Sequence, residues 1–152
     1  GNGFGMNVIA HDVADVQAEN VEMVDFHTLL LKSDVVSVHI HLDENTRGIV
    51  GSSAFSLMKP GAIILNSSRG AIIDEDALLN SLNSGHLGGA GLDVIDGEWL
   101  SSEELREHPL VAFARQNDNL LIVPHIGGST TESIYGARIF MARKIANYLL
   151  DQ

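Results

Sequence analysis

The chain contains no cysteine, so no disulfide framework staples it and no thiolate serves as nucleophile or metal ligand; the same absence leaves the redox compartment open. Positive charge is scarce. Nine lysines and arginines stand against 20 aspartates and glutamates, a formal net charge of −11 with a pI near 4.8. A surface of that sign repels phosphate, which argues against nucleic acid or an anionic membrane face as partner and fits a cytoplasmic protein. Long hydrophobic runs are missing too: the apolar stretches reach only a few residues, against the roughly 20 needed to span a bilayer. Signal-peptide patterns, low-complexity tracts and internal repeats are not visible. What is present is ordinary core material, 45% hydrophobic residues in 152, enough for one compact domain.

The glycines at Gly1, Gly3 and Gly5 resemble a dinucleotide-binding loop, but such a loop follows a strand and opens a helix. Here they precede a strand, Met6 to Asp12, and are set aside. The acid that closes this strand has a different standing. In a dinucleotide fold the second strand ends in Asp or Glu, about 20 residues past the glycine loop, and that carboxylate binds the adenosine ribose hydroxyls. Asp12 is a candidate for that role, with a plain turn former as the alternative.

Further along, Val21 to Val24 reads as a short edge strand, and Asp25 caps a helix through Leu31. Asp34 to His41 has the β-branched density of a strand, with His39 and His41 on one face by period-two counting. A histidine pair of that kind could bind a metal, but no third ligand is near and local hydrogen bonding explains it better. Ser52 to Met58 is a short helix stopped by Pro60-Gly61. The apolar run Ala62 to Leu65 then reads as an interior strand covered on both faces, and Arg69 emerges where it stops. Asp74-Glu75-Asp76 starts a helix with an apolar face at Leu78, Leu79 and Leu82 and Gly85 past its end. Gly88 to Ile95 is the next strand, carrying Asp93, with Glu98 in the following loop. A charged, helix-tending connection over 101–119 leads to the strand Leu120 to Val123, which ends at Pro124-His125. After Gly127-Gly128, Ser129 and Glu132 have capping-box spacing. In the helix so started, Ile134, Ala137, Met141, Ile145 and Tyr148 recur at helical spacing and read as core packing.

Strands alternating with helices imply a mostly parallel sheet with right-handed crossovers, a doubly wound α/β domain. A parallel sheet aligns its carboxyl ends, where ligands bind. Arg69, Asp93 with Glu98, and His125 therefore converge on one crevice as cation, carboxylate and imidazole. Singly, each has a structural explanation, such as an arginine capping a neighbouring carbonyl. Together they make an acid/base site in which the arginine can fork a substrate carboxylate and the histidine can move a proton.

At these residues the chain resembles the D-isomer-specific 2-hydroxyacid dehydrogenases, and most of all their D-3-phosphoglycerate dehydrogenase branch. The resemblance rests on Phe4 to Asp12, Ser33 to His39, Asn66 to Gly70 with Asp74 to Leu78, Gly91 to Val94, and Pro124 to Ser129. It implies a Rossmann-like fold and an oxidoreductase moving hydride between NAD and a small D-2-hydroxy acid, 3-phosphoglycerate being one option. In that resemblance Arg69 binds the substrate's carboxylate and carbonyl, His125 exchanges the proton with the hydroxyl, and Glu98 favours the protonated imidazole. Asp12 takes the adenosine ribose, implying NAD rather than NADP. Asp93, Gly127 and Gly128 lie against the nicotinamide carboxamide, and His39 and Ser67 complete the cofactor side.

Departures from the family pattern are Trp99, where a proline usually follows the glutamate and which loosens the assignment of Glu98, and His41 in place of a proline. The family's first strand, true glycine loop and first helix are not among these residues, nor is its substrate domain. The expectation is thus a partial NAD-binding domain over residues 1–152, inactive alone. The Met6 and Asp34 strands then either pair directly or leave an edge that a second copy covers in a homodimer. An NAD-sensing corepressor-type module and a cofactor-free interaction module of the same fold are the alternatives.

Overall fold

The structure, a computed structural model, describes residues 1–97 and 100–150. Its strands are β1 (Ile9–Ala10), β2 (Glu22–Met23), β3 (Val35–Val38), β4 (Ile63–Asn66), β5 (Gly89–Leu92) and β6 (Leu120–Ile122). Its helices are α1 (Phe26–Lys32), α2 (Ser52–Leu57), α3 (Glu75–Asn83), α4 (Ser102–Glu107), α5 (Pro109–Ala114) and α6 (Thr131–Leu150). Helices begin where a side chain can satisfy free N–H groups. Asp25 accepts from the Thr28 N–H at 2.9 Å and Asp74 from that of Ala77 at 3.0 Å. Ser101 and Glu104 close a reciprocal capping box. The connection over 101–119 splits into two helices because Pro109 cannot continue α4 and instead takes the first position of α5.

Strands β3, β4, β5 and β6 form one parallel sheet in that order, the α/β Rossmann-like architecture expected. The register places Val36, Ile64, Ala90 and Leu120 in one row, and Val38, Asn66, Leu92 and Ile122 in the next. These rows face the core with Leu30, Phe55, Leu78 and Leu110. The opposite face is open: Val35, Ile63, Leu65 and Leu121 are all exposed, Leu121 at 67%. The reading of the Ala62 to Leu65 run as covered on both faces is therefore corrected. Strands added in sequence order through right-handed crossovers put every connecting helix on the same side, so the β3–β6 wing has helices on one face only.

β1 and β2 pair with each other in parallel, separately from that sheet. Of the two arrangements expected for the Met6 and Asp34 strands, direct pairing is thus not adopted and the outer edge of β3 is open among the described residues. The third strand is shorter than Asp34 to His41, because the ladder stops at the Val38–Asn66 pair; His39 and His41 lie past its end.

Two expectations about the last helix also change. Its cap is Thr130, whose Oγ1 accepts from the Ser133 N–H at 3.1 Å. Ser129 belongs to the preceding turn, its N–H bonded to the Ile126 carbonyl and its hydroxyl to that of His125. None of the residues of α6 is buried, so Ile134, Ala137, Met141, Ile145 and Tyr148 are not core. Helical spacing states which residues share a stripe; what covers the stripe is a tertiary matter, and here α6 leaves the domain.

Candidate functional site

The site is built outward from Asn66, the one buried polar side chain of the core among the described residues. Its Nδ2 donates to the Arg69 carbonyl at 2.9 Å and its Oδ1 accepts from the Ser68 N–H at 3.0 Å. The Ser68 hydroxyl donates to the Val38 carbonyl at 3.0 Å, and the Asn66 carbonyl accepts the Asp93 N–H at 2.9 Å. One asparagine thereby fixes the turn that carries Arg69 and locks it to the strands on either side. Asn66 and Ser68 are not among the site residues expected above. The available signal was a polar residue two positions after Ile64, hence on the same strand face, at the end of an apolar run.

Arg69 is exposed, and its Nη1 donates to the neighbouring Ser68 carbonyl at 2.6 Å, the local capping contact weighed as the structural alternative. The chain then turns through Gly70–Ile72, all three residues buried. Ser67 is exposed at the same strand end.

On the next strand, the Asp93 carboxylate accepts two main-chain bonds from the loop after β6. Ile126 N–H donates to Oδ1 at 2.7 Å and Gly127 N–H to Oδ2 at 2.9 Å. Val123 N–H donates to the Leu92 carbonyl at 2.9 Å, so the two strand ends are joined by backbone and by side chain. Between these fixed points His125 sits half-buried in the left-handed region at φ 52°. That conformation is uncommon for a residue with a Cβ and is characteristic of functional turns. Asp93 and His125 stand at the mouth of a cleft of about 540 Å³ walled by Leu105, Leu121, Arg106 and Arg115.

Arg69, Asp93 and His125 thus lie at the carboxyl ends of three neighbouring strands. Strands are spaced about 4.8 Å apart, so the outer two strand ends lie on the order of 10 Å apart. Glu98 lies outside the described residues. Of the remaining candidates, Asp12 belongs to the separate β1–β2 pair and the others have local partners or are exposed. Asp12 follows β1, its carboxylate accepting the Ala14 N–H at 2.9 Å in an exposed turn. The His39 ring bonds the Ser37 hydroxyl at 2.8 Å, and Gly128 is exposed. His41 offers its carbonyl to the Thr46 hydroxyl at 2.7 Å. Among the described residues no group of three or more His, Asp or Glu is placed to hold a metal ion.

Two groups of residues have chemistry that suits a dinucleotide. Asp93 and the glycine loop make a polar cradle that a Cβ at Gly127 would fill, coming within 2.7 Å of Asp93 Oδ2. The Asp12 carboxylate, which follows β1, is an acceptor for hydroxyls and repels a phosphate in their place.

Comparison with known proteins gives the family and the fold. The model of the NAD-binding domain of D-isomer specific 2-hydroxyacid dehydrogenases matches residues 1–127. The glyoxylate reductase of Thermococcus litoralis is 39% identical over 147 residues, covering 94% of this chain and 42% of that protein. The hydroxypyruvate reductase of Thermotoga maritima is 41% identical over 143 residues, 93% of this chain and 45% of its own. Among solved structures, D-2-hydroxyisocaproate dehydrogenase matches with a TM-score of 0.88 at 32% identity, covering 97% of this chain and 47% of that one. D-lactate dehydrogenase from Aquifex aeolicus, solved with NAD and lactic acid, matches with a TM-score of 0.83 at 27% identity, covering 99% and 48%. The chain spans less than half the length of these relatives. None of them favours the corepressor-type or interaction-module alternatives.

Proposed function

We propose that this chain, which belongs to the D-isomer specific 2-hydroxyacid dehydrogenases through their NAD-binding domain, supplies the cofactor-binding and proton-transfer part of an enzyme that interconverts a small 2-oxo acid and its D-2-hydroxy acid. The observation that carries the reading is the fastening of the His125 turn to Asp93, beside the strand end that carries Arg69.

In the reductive direction the Arg69 guanidinium holds the substrate carboxylate and carbonyl oxygen in a fork and draws electron density toward that oxygen. His125 is the acid: its protonated imidazole gives a proton to the carbonyl oxygen as this becomes the hydroxyl. Glu98 stabilises the imidazolium before transfer. Asp93, Gly127 and Gly128 hold the carboxamide of the nicotinamide, His39 and Ser67 line its approach, and Asp12 binds the adenosine ribose. Bound NADH supplies the hydride that reaches C2 of the substrate. Oxidation runs the same steps backward, with neutral His125 taking the hydroxyl proton. Glyoxylate, hydroxypyruvate and the keto acid formed from 3-phosphoglycerate all carry the carboxylate-carbonyl pair that Arg69 reads.

The protein acts in the cytoplasm and as a homodimer on this reading. In support of association, the apolar side chains of Val35, Ile63, Leu65 and Leu121 lie exposed on one sheet face. Sedimentation of a well-folded monomer would overturn the dimer. The activity is tested by following NADH consumption with glyoxylate and with hydroxypyruvate in the full-length polypeptide. His125→Ala is expected to lose on the order of 10²–10⁴-fold in kcat, and a His125→Ala protein as fast as the parent sinks the proposal.

A further inference from the structure

Ser68 is bonded through every polar group it has. Its N–H donates to Asn66 Oδ1 at 3.0 Å, its hydroxyl donates to the Val38 carbonyl at 3.0 Å, and its carbonyl accepts from Arg69 Nη1 at 2.6 Å. The first bond ties it to the end of β4 and the second to the end of β3. Val38 and Asn66 are the last partners in register between those strands, and the Ser68 side chain takes the Val38 carbonyl just past that point. A hydroxyl thus extends the hold of the ladder into the turn that carries Arg69.

Arg69 is held on its other side as well. Its carbonyl accepts from Asn66 Nδ2 at 2.9 Å and from the Ile72 N–H at 3.3 Å. Gly70, next in the chain, packs so tightly on the Ile95–Asp96 peptide that a Cβ would fall 2.0 Å from the Ile95 carbonyl carbon and 2.1 Å from the Asp96 nitrogen. The residue before Arg69, the residue after it and its own carbonyl are therefore fixed, and the guanidinium is fastened to the first of these. That bond engages Nη1 alone; Nε and Nη2 have no partner among the described residues.

Carbonyl capping by itself does not call for this arrangement. The Ser68 residue that receives the cation is already set by two further bonds, while the cation stays exposed to solvent. An exposed arginine rotates freely about its long stem, and clamping a ligand removes that freedom at a cost in affinity. Resting on Ser68, the guanidinium has given up part of it before any ligand arrives, and the charge-assisted bond keeps it there.

We propose that Ser68 is a positioning residue for substrate capture: anchored to β3 and β4, it offers its carbonyl as the rest on which the Arg69 guanidinium is held, with Nε and Nη2 left for the oxygens of a 2-oxo acid. The inference rests on the reading of Arg69 given above. Ser68 acts on the acid only through Arg69. Ser67, one residue earlier, is the one assigned to the cofactor, so a change confined to Ser68 separates capture of the acid from binding of NADH.

The test uses the full-length polypeptide reducing glyoxylate with NADH. Ser68→Ala removes the tie to the Val38 carbonyl. It is expected to raise the KM for glyoxylate roughly tenfold, the scale set by ordering one long side chain on binding, with the KM for NADH changed less than about twofold. Ser68→Thr keeps the hydroxyl and is expected to recover most of the loss. Should Ser68→Ala fail to fold, Ser68→Cys, with a weaker donor in the same place, replaces it. A parental KM for glyoxylate in the hydroxyl-free variant, the two KM values rising together, or Thr no better than Ala or Cys would each overturn the proposal. Arg69→Gln separates it from the reading on which it rests. Parental turnover of glyoxylate by Arg69→Gln means that the reading of Arg69 has failed; a large loss there beside parental kinetics in the hydroxyl-free variant means that only the positioning role has.

Discussion

Asp93 and Gly127 hold each other in place: the carboxylate takes the Gly127 N–H at 2.9 Å, and the glycine leaves the room in which the carboxylate sits. A Cβ on Gly127 would lie 2.7 Å from Asp93 Oδ2. Gly127→Ala must therefore turn the carboxylate away from both N–H donors. Bonds to a charged acceptor are worth roughly 1.5–3 kcal/mol each when shielded from water, and this pair is half-exposed, so we expect a loss of about 1–2 kcal/mol in urea unfolding. NADH affinity of the full-length protein should fall about tenfold, the equivalent of 1.4 kcal/mol. Parental unfolding and parental NADH fluorescence titration together would refute the coupling.

Gly70 is the tighter case, because the atoms a Cβ would meet are backbone and cannot swing aside. Gly70→Ala has to lift the Gly70–Ile72 turn off the Ile95–Asp96 peptide. Overpacking of this kind costs about 3 kcal/mol, and the urea midpoint should drop accordingly. The displaced turn also carries Arg69, so the KM for the oxo acid should rise more than that for NADH.

The buried Glu75 carboxyl predicts a pH dependence of defined sign. Its folded-state pKa lies above the ordinary value of 4.5, so the folded chain holds this proton more tightly than the unfolded chain. The associated stability is fully present below about 4.5 and is lost as pH rises through the folded value. Asp25, Asp43 and Glu104 have lowered values because of hydrogen bonds to Thr28, Asn45 and Ser101 respectively. Their contributions are lost in the opposite sense, as pH falls. Comparing melting curves of the parent and Glu75→Gln isolates the first group: the variant should gain on the parent as pH rises from 4 toward 8. A gap that is constant across that range would show the carboxyl to be unperturbed.

Much of this was legible in the residues, for identifiable reasons. Capping is local, so Asp25 and Asp74 announced their helices. Parallel strand ends align by geometry, so Arg69, Asp93 and His125 could be assigned to one sheet edge without coordinates. Asn66 is not legible because its burial is tertiary: its side chain holds the adjoining turn at Ser68 and Arg69, but only the sheet, where its carbonyl takes the Asp93 N–H, encloses it. Ser129 does not cap α6 because the His125 turn competes for it, a competition that the spacing to Glu132 does not register. The open face at Val35, Ile63, Leu65 and Leu121 was hidden for a related reason. An apolar run is compatible with burial on both sides but cannot specify what lies on the second.

The same limit applies to α6, and gives the last prediction. Its apolar residues Ile134, Met141, Ile145 and Tyr148 follow a helical stripe, yet each is exposed, Tyr148 at 66%, and no residue of the helix is buried. A segment that buries nothing contributes nothing to the hydrophobic core, whatever its periodicity. Ending the chain after Thr130 should therefore leave the unfolding free energy of the β3–β6 core in urea within about 0.5 kcal/mol of the parent, measured at a concentration low enough to keep both proteins monomeric. A fall of several times that size would mean that α6 packs on its own sheet in solution, against the open face on which Leu121 lies, and the core assignment made from the spacing would be restored.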